Sequence, residues 1–297
     1  MRWSLVTATS STGRATAALA MDGSVRAIDA LPHGISLIEV VKNWDDHAAG
    51  LKAWDVSKGQ ILAEASIEQP LQYPNKVICI GANYRDHRAE MAADAEGAKA
   101  KPYFFFKPPT TALIGPGADI PIRSEDDNVD WEGEIAIVLS KGGRFIAREN
   151  ALDCIAGITL ANDVSARAKG VHNQPDAVAP PFAWDWVGSK AQDGFCPLGP
   201  GIVPMWFVDD VEDVPFSLSV NGVEHQNSTT AYTVTGILDQ IVAASELMTL
   251  EPGDVILTGT PAGVGAAKGI FLKDGDEVVV RSPLIGELAN TVRLVHR

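Results

Sequence analysis

The chain has 297 residues, 46% hydrophobic and 21% charged, which excludes disordered, collagen-like and fibrous readings and allows one large or two modest domains. Its 24 Lys and Arg stand against 38 Asp and Glu, a net charge of −14. Such a surface repels polyphosphate and excludes nucleic acid as a partner, whereas a small anionic substrate is admitted wherever inward cations or a bound metal reverse the sign locally.

No apolar run approaches the roughly 20 residues needed to cross a bilayer, and the first residues lack a basic stretch followed by an apolar block. The expectation is a cytoplasmic protein without membrane contact. In chain order, Arg14 to Leu19 and Ser24 to Ile28 are strand-like, with an Asp22-Gly23 hairpin signal between them. Leu37, Val40, Val41 and Trp44 recur at helical spacing, and Ser36 with Glu39 three residues on forms a capping box, so a helix is predicted from Ser36 to about Gly50. Pro70 to Pro74 is a connector, and a boundary near residue 70 divides a small N-terminal α+β domain, 1–70, from a larger domain, 71–297. Beyond it, strands are predicted at Val77 to Ile80, Ile135 to Leu139, Ile155 to Leu160, Phe216 to Val220, Val255 to Leu257, Glu277 to Arg281 and Leu288 to Val295. Helices fit Asp86 to about Ala95 and Val234 to Met248. This is an α+β chain, mainly β, with a mixed sheet curled on itself rather than a doubly wound parallel sheet. Cys79, Cys154 and Cys196 have no paired or metal-site spacing and are expected in the core.

The strongest chemical signal is Asp130-Trp131-Glu132-Gly133-Glu134. Residues two apart in a strand share a face, so Glu132 and Glu134 present two carboxylates to one spot. A hard divalent cation relieves their repulsion, and oxygen-only ligands point to Mg²⁺, Mn²⁺ or Ca²⁺. Asp163, at the tip of the apolar run Cys154 to Ala161, is placed to reach a metal held on a neighbouring strand. His87 and Glu90 share a helical face, where a carboxylate orients an imidazole that activates water. Lys190 stands in a Gly/Pro-rich loop, Val187 to Pro200, and Thr258 to Gly265 is a glycine- and threonine-rich turn whose amides and hydroxyls suit a carboxylate. That turn lacks the GK[ST] of a P-loop.

Together these pieces resemble the fumarylacetoacetate hydrolase family over residues 74–297. GANYRDHRAEM, FFFKP, WEGEIAIVL, ANDVSAR, SKAQDGFCPLGP, VNGVEHQ and LEPGDVILTGTPAGVG follow in the family's order. The resemblance implies a mixed-sheet β-roll catalytic domain, usually a homodimer. It also implies Glu132, Glu134 and Asp163 as ligands of one Mg²⁺ or Mn²⁺ per subunit, with Ca²⁺ as a substitute in crystals. His87 and Glu90 would be the water-activating pair, Lys190 a catalytic cation, and Asn83, Tyr84, Arg167, Gly259 and Thr260 substrate contacts. The chain departs from the family after Arg167, where Ala168-Lys169-Gly170 replaces the usual Asp-x-Gln, and the segment Val171 to Trp186 is unusual. Both changes fall where the far end of a substrate is recognised.

The expected reaction is hydrolytic C–C cleavage of a 2,4-dioxo acid, an acylpyruvate or fumarylpyruvate, through a metal-stabilised pyruvate enolate. Oxaloacetate-type decarboxylation, 2-oxo acid isomerisation and hydrolysis or dehydration of 3-deoxy-2-oxo sugar acids use the same enolate. The His87 and Glu90 pair favours hydrolysis, and the intact set argues against a non-catalytic binding protein.

Overall fold

The computed structural model of the chain describes residues 1–11, 13–90, 101–168 and 185–295. At its centre is the strand Gly133–Leu139, buried at every residue. It is apolar beyond Glu134 because both of its faces are covered. Ile135, Ile137 and Leu139 enter one core with Ile158, Leu160, Leu218 and Leu288, while Ala136 and Val138 enter a second with Leu37, Val40 and Leu51.

That strand belongs to an eleven-stranded sheet whose main order is Val25–Ala27, Gly13–Ala20, Trp3–Ser10, Cys196–Pro204, Ile155–Asn162, Gly133–Leu139, Val255–Leu257, Val77–Gly81, Tyr103–Lys107. Val255–Leu257 runs parallel to Val77–Gly81 and antiparallel to Gly133–Leu139, so the sheet is mixed. A five-stranded sheet, ordered Val223–Thr229, Pro215–Val220, Glu277–Ser282, Gly286–Leu294, Asp119–Ile122, shares the first core with it. The fold is mainly β, as expected. The large sheet runs across position 70, because Leu5 pairs with Ile202.

Several expected elements differ in detail. The hairpin forms, closed by Ala20 N–H donating to Ser24 O at 2.9 Å and by Asp22 accepting from Ser24 N–H at 2.9 Å. The capping box at Ser36 is present, but the helix is two helices, Leu37–Lys42 and Trp44–Ala53. Asn43 divides them, its side-chain amide donating to Glu39 O at 2.9 Å in competition with the backbone. The helix expected from Val234 is Ile237–Leu247. Val234 N–H and Thr235 N–H donate instead to Asn83, to O at 2.7 Å and to Oδ1 at 2.9 Å, while Glu212 caps the helix by accepting from Ile237 and Leu238 N–H. The helix expected from Asp86 is Arg85–Glu90, and its remainder lies outside the described residues, as does most of the Val171 to Trp186 segment.

The largest correction concerns the Gly/Pro-rich stretch. Lys190 ends a short helix, Trp186–Lys190, and Cys196–Pro204 is a wholly buried strand of nine residues rather than a loop. Its neighbours approach too closely for side chains: a Cβ at Gly201 would lie 2.8 Å from Leu5 O, and one at Gly157 2.3 Å from Val203 O. Glycine here marks close packing, not a turn.

Candidate active site

Glu132 and Glu134 sit at the mouth of the central strand, on the side of Ala136 and Val138. Asp163 follows the adjacent strand, Ile155–Asn162, and its N–H donates to Glu132 O at 2.8 Å. The strand pairing thereby brings the third carboxylate to the first two. Oxygens of all three lie within 4.8 Å of one another, and the residues are buried.

Three cations offset this charge. Lys190 Nζ, buried, donates to Glu132 Oε2 at 2.8 Å and Asp163 Oδ2 at 2.7 Å. Arg167 pairs with Glu132 and, at 3.3 Å, with Asp130. Lys107 donates its three protons to the carbonyls of Val164, Lys190 and Phe195, at 2.9, 2.7 and 2.6 Å. With those protons committed, it attracts Asp163 Oδ1 at 2.8 Å by charge alone, and Oδ1 receives no aligned hydrogen bond from the described residues. Against the upward push of burial, Lys190, Arg167 and His87 hold Glu132 well below the ordinary carboxylate range. Burial, then Asp163 and Glu132, drive Glu134 well above it. A carboxylate repelled by its neighbours, a buried carboxylate oxygen without a donor and an all-oxygen set are what a hard divalent ion satisfies, so these residues fit Mg²⁺ or Mn²⁺.

His87, buried on the Arg85–Glu90 helix, bears electrostatically on Glu132. Its Nδ1 lies 3.5 Å from Glu90 Oε2. Glu90 is fixed in turn by Gly263 N–H, 3.1 and 3.2 Å from its two oxygens. The structure therefore brings together His87, Glu90, Lys190 and the three carboxylates, drawn from the ends of two sheet strands and from two short helices, with the turn after Val255–Leu257 holding Glu90 in place.

Residues 76–293 match the family described as fumarylacetoacetate (FAA) hydrolase, C-terminal. The chain belongs to the fumarylacetoacetate hydrolase family. It is 38% identical over 240 residues to oxaloacetate tautomerase fahd2, mitochondrial, of Xenopus laevis, covering 80% of this chain and 72% of that one. Among solved structures it resembles the fumarylacetoacetate hydrolase of psychrophilic Exiguobacterium antarcticum, at 31% identity and a TM-score of 0.81 over 99% of this chain and 100% of that one. It also resembles maleylpyruvate hydrolase from Sphingobium sp. SYK-6, solved with manganese(II) ion and pyruvate, at 28% identity and a TM-score of 0.75 over 100% of both chains.

In this family member, several expected substrate contacts have internal partners. Asn83 donates to Thr235 O and Thr258 O and accepts from Thr235 N–H, clasping the segment that leads into the Arg85–Glu90 helix to the turn after Val255–Leu257. Gly259, at φ +99°, donates its N–H to Glu134 Oε2 at 2.6 Å, and a Cβ there would lie 2.7 Å from Asn83 Cβ. Thr260 Oγ1 donates to Gly133 O at 2.9 Å. Tyr84 is fully buried and its hydroxyl has no partner among the described residues; burial, then Glu134 and Asp86, raise its pKa. Lys107, Asp130 and Gln226 fall inside the motifs read from the sequence, but sequence reasoning assigned them no role. Asp130 accepts from Gly265 and Ala266 N–H, anchoring the turn to the carboxylate strand. The available signals were a Lys ending the apolar run Tyr103 to Phe106, a third acid beside the Glu pair and a Gln within a strand.

Proposed function

We propose that this chain is a divalent-metal-dependent tautomerase of a small anionic 2-oxo acid of the oxaloacetate type. The observation that carries this reading is the convergence of three buried carboxylates with Lys190 and His87 at one spot. The similarity to the oxaloacetate tautomerase directs it to that substrate class. A bound Mg²⁺ or Mn²⁺ would polarise the 2-oxo group and lower the cost of negative charge on its oxygen. Keto–enol exchange removes a proton from C3 and places one on the 2-oxo oxygen, or the reverse. His87 moves the C3 proton through Nε2, because Nδ1 faces Glu90. Such positioned acid–base help contributes about 10²–10⁴-fold. Lys190 holds a proton-rich ammonium at the carboxylates and offers it to the substrate's negative charge.

A second reading, hydrolytic C–C cleavage of a 2,4-dioxo acid, is favoured by Glu90 beside His87, since only that reaction needs an activated water. The similarity to maleylpyruvate hydrolase supports the same reading. One experiment separates them. Protein with Mn²⁺ is given oxaloacetate, followed by its enol absorbance, and a set of acylpyruvates, followed by released pyruvate. Enol conversion above the buffer rate without acylpyruvate cleavage supports the tautomerase, cleavage supports the hydrolase, and neither reaction sinks both.

A further inference from the structure

The backbone N–H and C=O of Gly133, the residue that separates the paired carboxylates Glu132 and Glu134, are each met by a side chain from elsewhere in the fold. Gly133 N–H donates to Gln226 Oε1 at 2.9 Å. Gln226 Nε2 donates to Thr260 Oγ1 at 2.8 Å and to Pro261 O at 2.9 Å. Thr260 Oγ1 donates to Gly133 O at 2.9 Å, closing a ring of three hydrogen bonds.

We infer that Gln226 is a positioning residue of this site: its carboxamide fixes the peptide between Glu132 and Glu134 and sets the direction of the Thr260 hydroxyl. This inference rests on the metal-dependent reading above. The orientation of the amide follows from its neighbours. A backbone N–H only donates and a carbonyl only accepts, so Oε1 faces Gly133 and Nε2 faces Pro261. Thr260 Oγ1 therefore accepts from Nε2, and its one proton goes to Gly133 O.

The brace also joins the two sheets. Gln226, buried, lies on Val223–Thr229 of the five-stranded sheet, whereas Gly133 opens the central strand of the large one. Glycines permit the approach: a Cβ at Gly133 would lie 3.2 Å from Gln226 Oε1, and one at Gly263 2.0 Å from His225 O. The hairpin that carries Gln226 is thus pressed against both the carboxylate strand and the turn that holds Glu90. Partners behind metal ligands typically account for 10–100-fold in metal affinity, and Gln226 is placed to act in that way.

The test is Mn²⁺ binding to the metal-free protein, read from the paramagnetic resonance of free Mn²⁺, in wild type, Gln226→Met, Thr260→Val and the double variant. If wild type binds no Mn²⁺, the metal reading fails independently of Gln226. With wild-type binding present, folded Gln226→Met is expected to bind about 10–100-fold more weakly. The double variant is expected to lose little more than the worse single variant, since both open one ring. A general loss of stability would give additive losses. Wild-type affinity in Gln226→Met, or additive losses, overturns the inference. Should Gln226→Met not fold, Thr260→Val decides alone: weakened Mn²⁺ binding supports the ring and unchanged binding overturns it.

Discussion

Lys107 Nζ lies 2.8 Å from Asp163 Oδ1, and the two side chains are 0% and 2% exposed. The ammonium is caged by three carbonyls and serves as a fixed counter-charge behind a candidate ligand. Removing one partner of a buried pair costs about 3–5 kcal/mol, because the other charge stays buried without compensation. Lys107→Met is expected to lower the melting temperature by on the order of 10 °C. Scanning calorimetry checks this, and an unchanged melting temperature would show the cage to be dispensable.

Glu134→Gln is expected to abolish Mn²⁺ binding while leaving the metal-free fold as stable as wild type or more so. The physical reason is that burial and the negative neighbours Asp163 and Glu132 already disfavour its charge, so a neutral isostere relieves repulsion. Metal at 100 times Kd stabilises a binding-competent protein by about 2.7 kcal/mol. Melting curves with and without Mn²⁺ should show that gain in wild type only. An equal metal-induced shift in the variant refutes the ligand assignment.

His87→Ala is expected to slow enol conversion of oxaloacetate by about two to four decades and to leave Mn²⁺ affinity nearly unchanged, since the imidazole is not among the three carboxylates. Glu90→Ala should lose at least as much activity, because it frees the imidazole and also releases the Arg85–Glu90 helix from Gly263. Progress curves at fixed Mn²⁺ with equilibrium metal titrations separate these effects. Activity retained in both variants would remove the helix from the chemistry.

The thiols of Cys79, Cys154 and Cys196 are raised by burial first, that of Cys196 to about 12. A thiol whose folded pKa is raised stays neutral through pH 8, and the thiolate is the reactive form. Native protein at pH 8 should therefore react slowly with an aromatic disulfide reagent, and three thiols should appear on unfolding. The same sign means that folding loses stability as pH rises past the ordinary thiol value of 9.0, where the unfolded chain's thiols ionise and the buried ones do not. Rapid native labelling of all three would contradict their burial.

Much of this site was readable along the chain. Glu132 and Glu134 share a face through the two-residue period of a strand, and Asp163 ends a recognisable apolar run. His87 and Glu90 sit one helical turn apart, and the Ser36 cap is a local motif of four residues. Elements resting on distant neighbours were less readable. Cys196–Pro204 has the composition of a loop and becomes a strand only because Trp3–Ser10 and Ile155–Asn162 flank it. The start of the Ile237–Leu247 helix is set by Asn83, more than a hundred residues earlier, and by Glu212.

By itself the sequence determined which residues carry charge, which runs are apolar and which pairs share a face, because periodicity and capping act over a few residues. The tertiary structure alone decided that Lys107 lies behind Asp163, that the Gly259 N–H serves Glu134, and that Gln226 reaches across from the second sheet to Gly133 and Thr260. These contacts join positions 34 to 125 residues apart. A buried donor or acceptor must find a partner wherever packing places one, and no local pattern records where that will be.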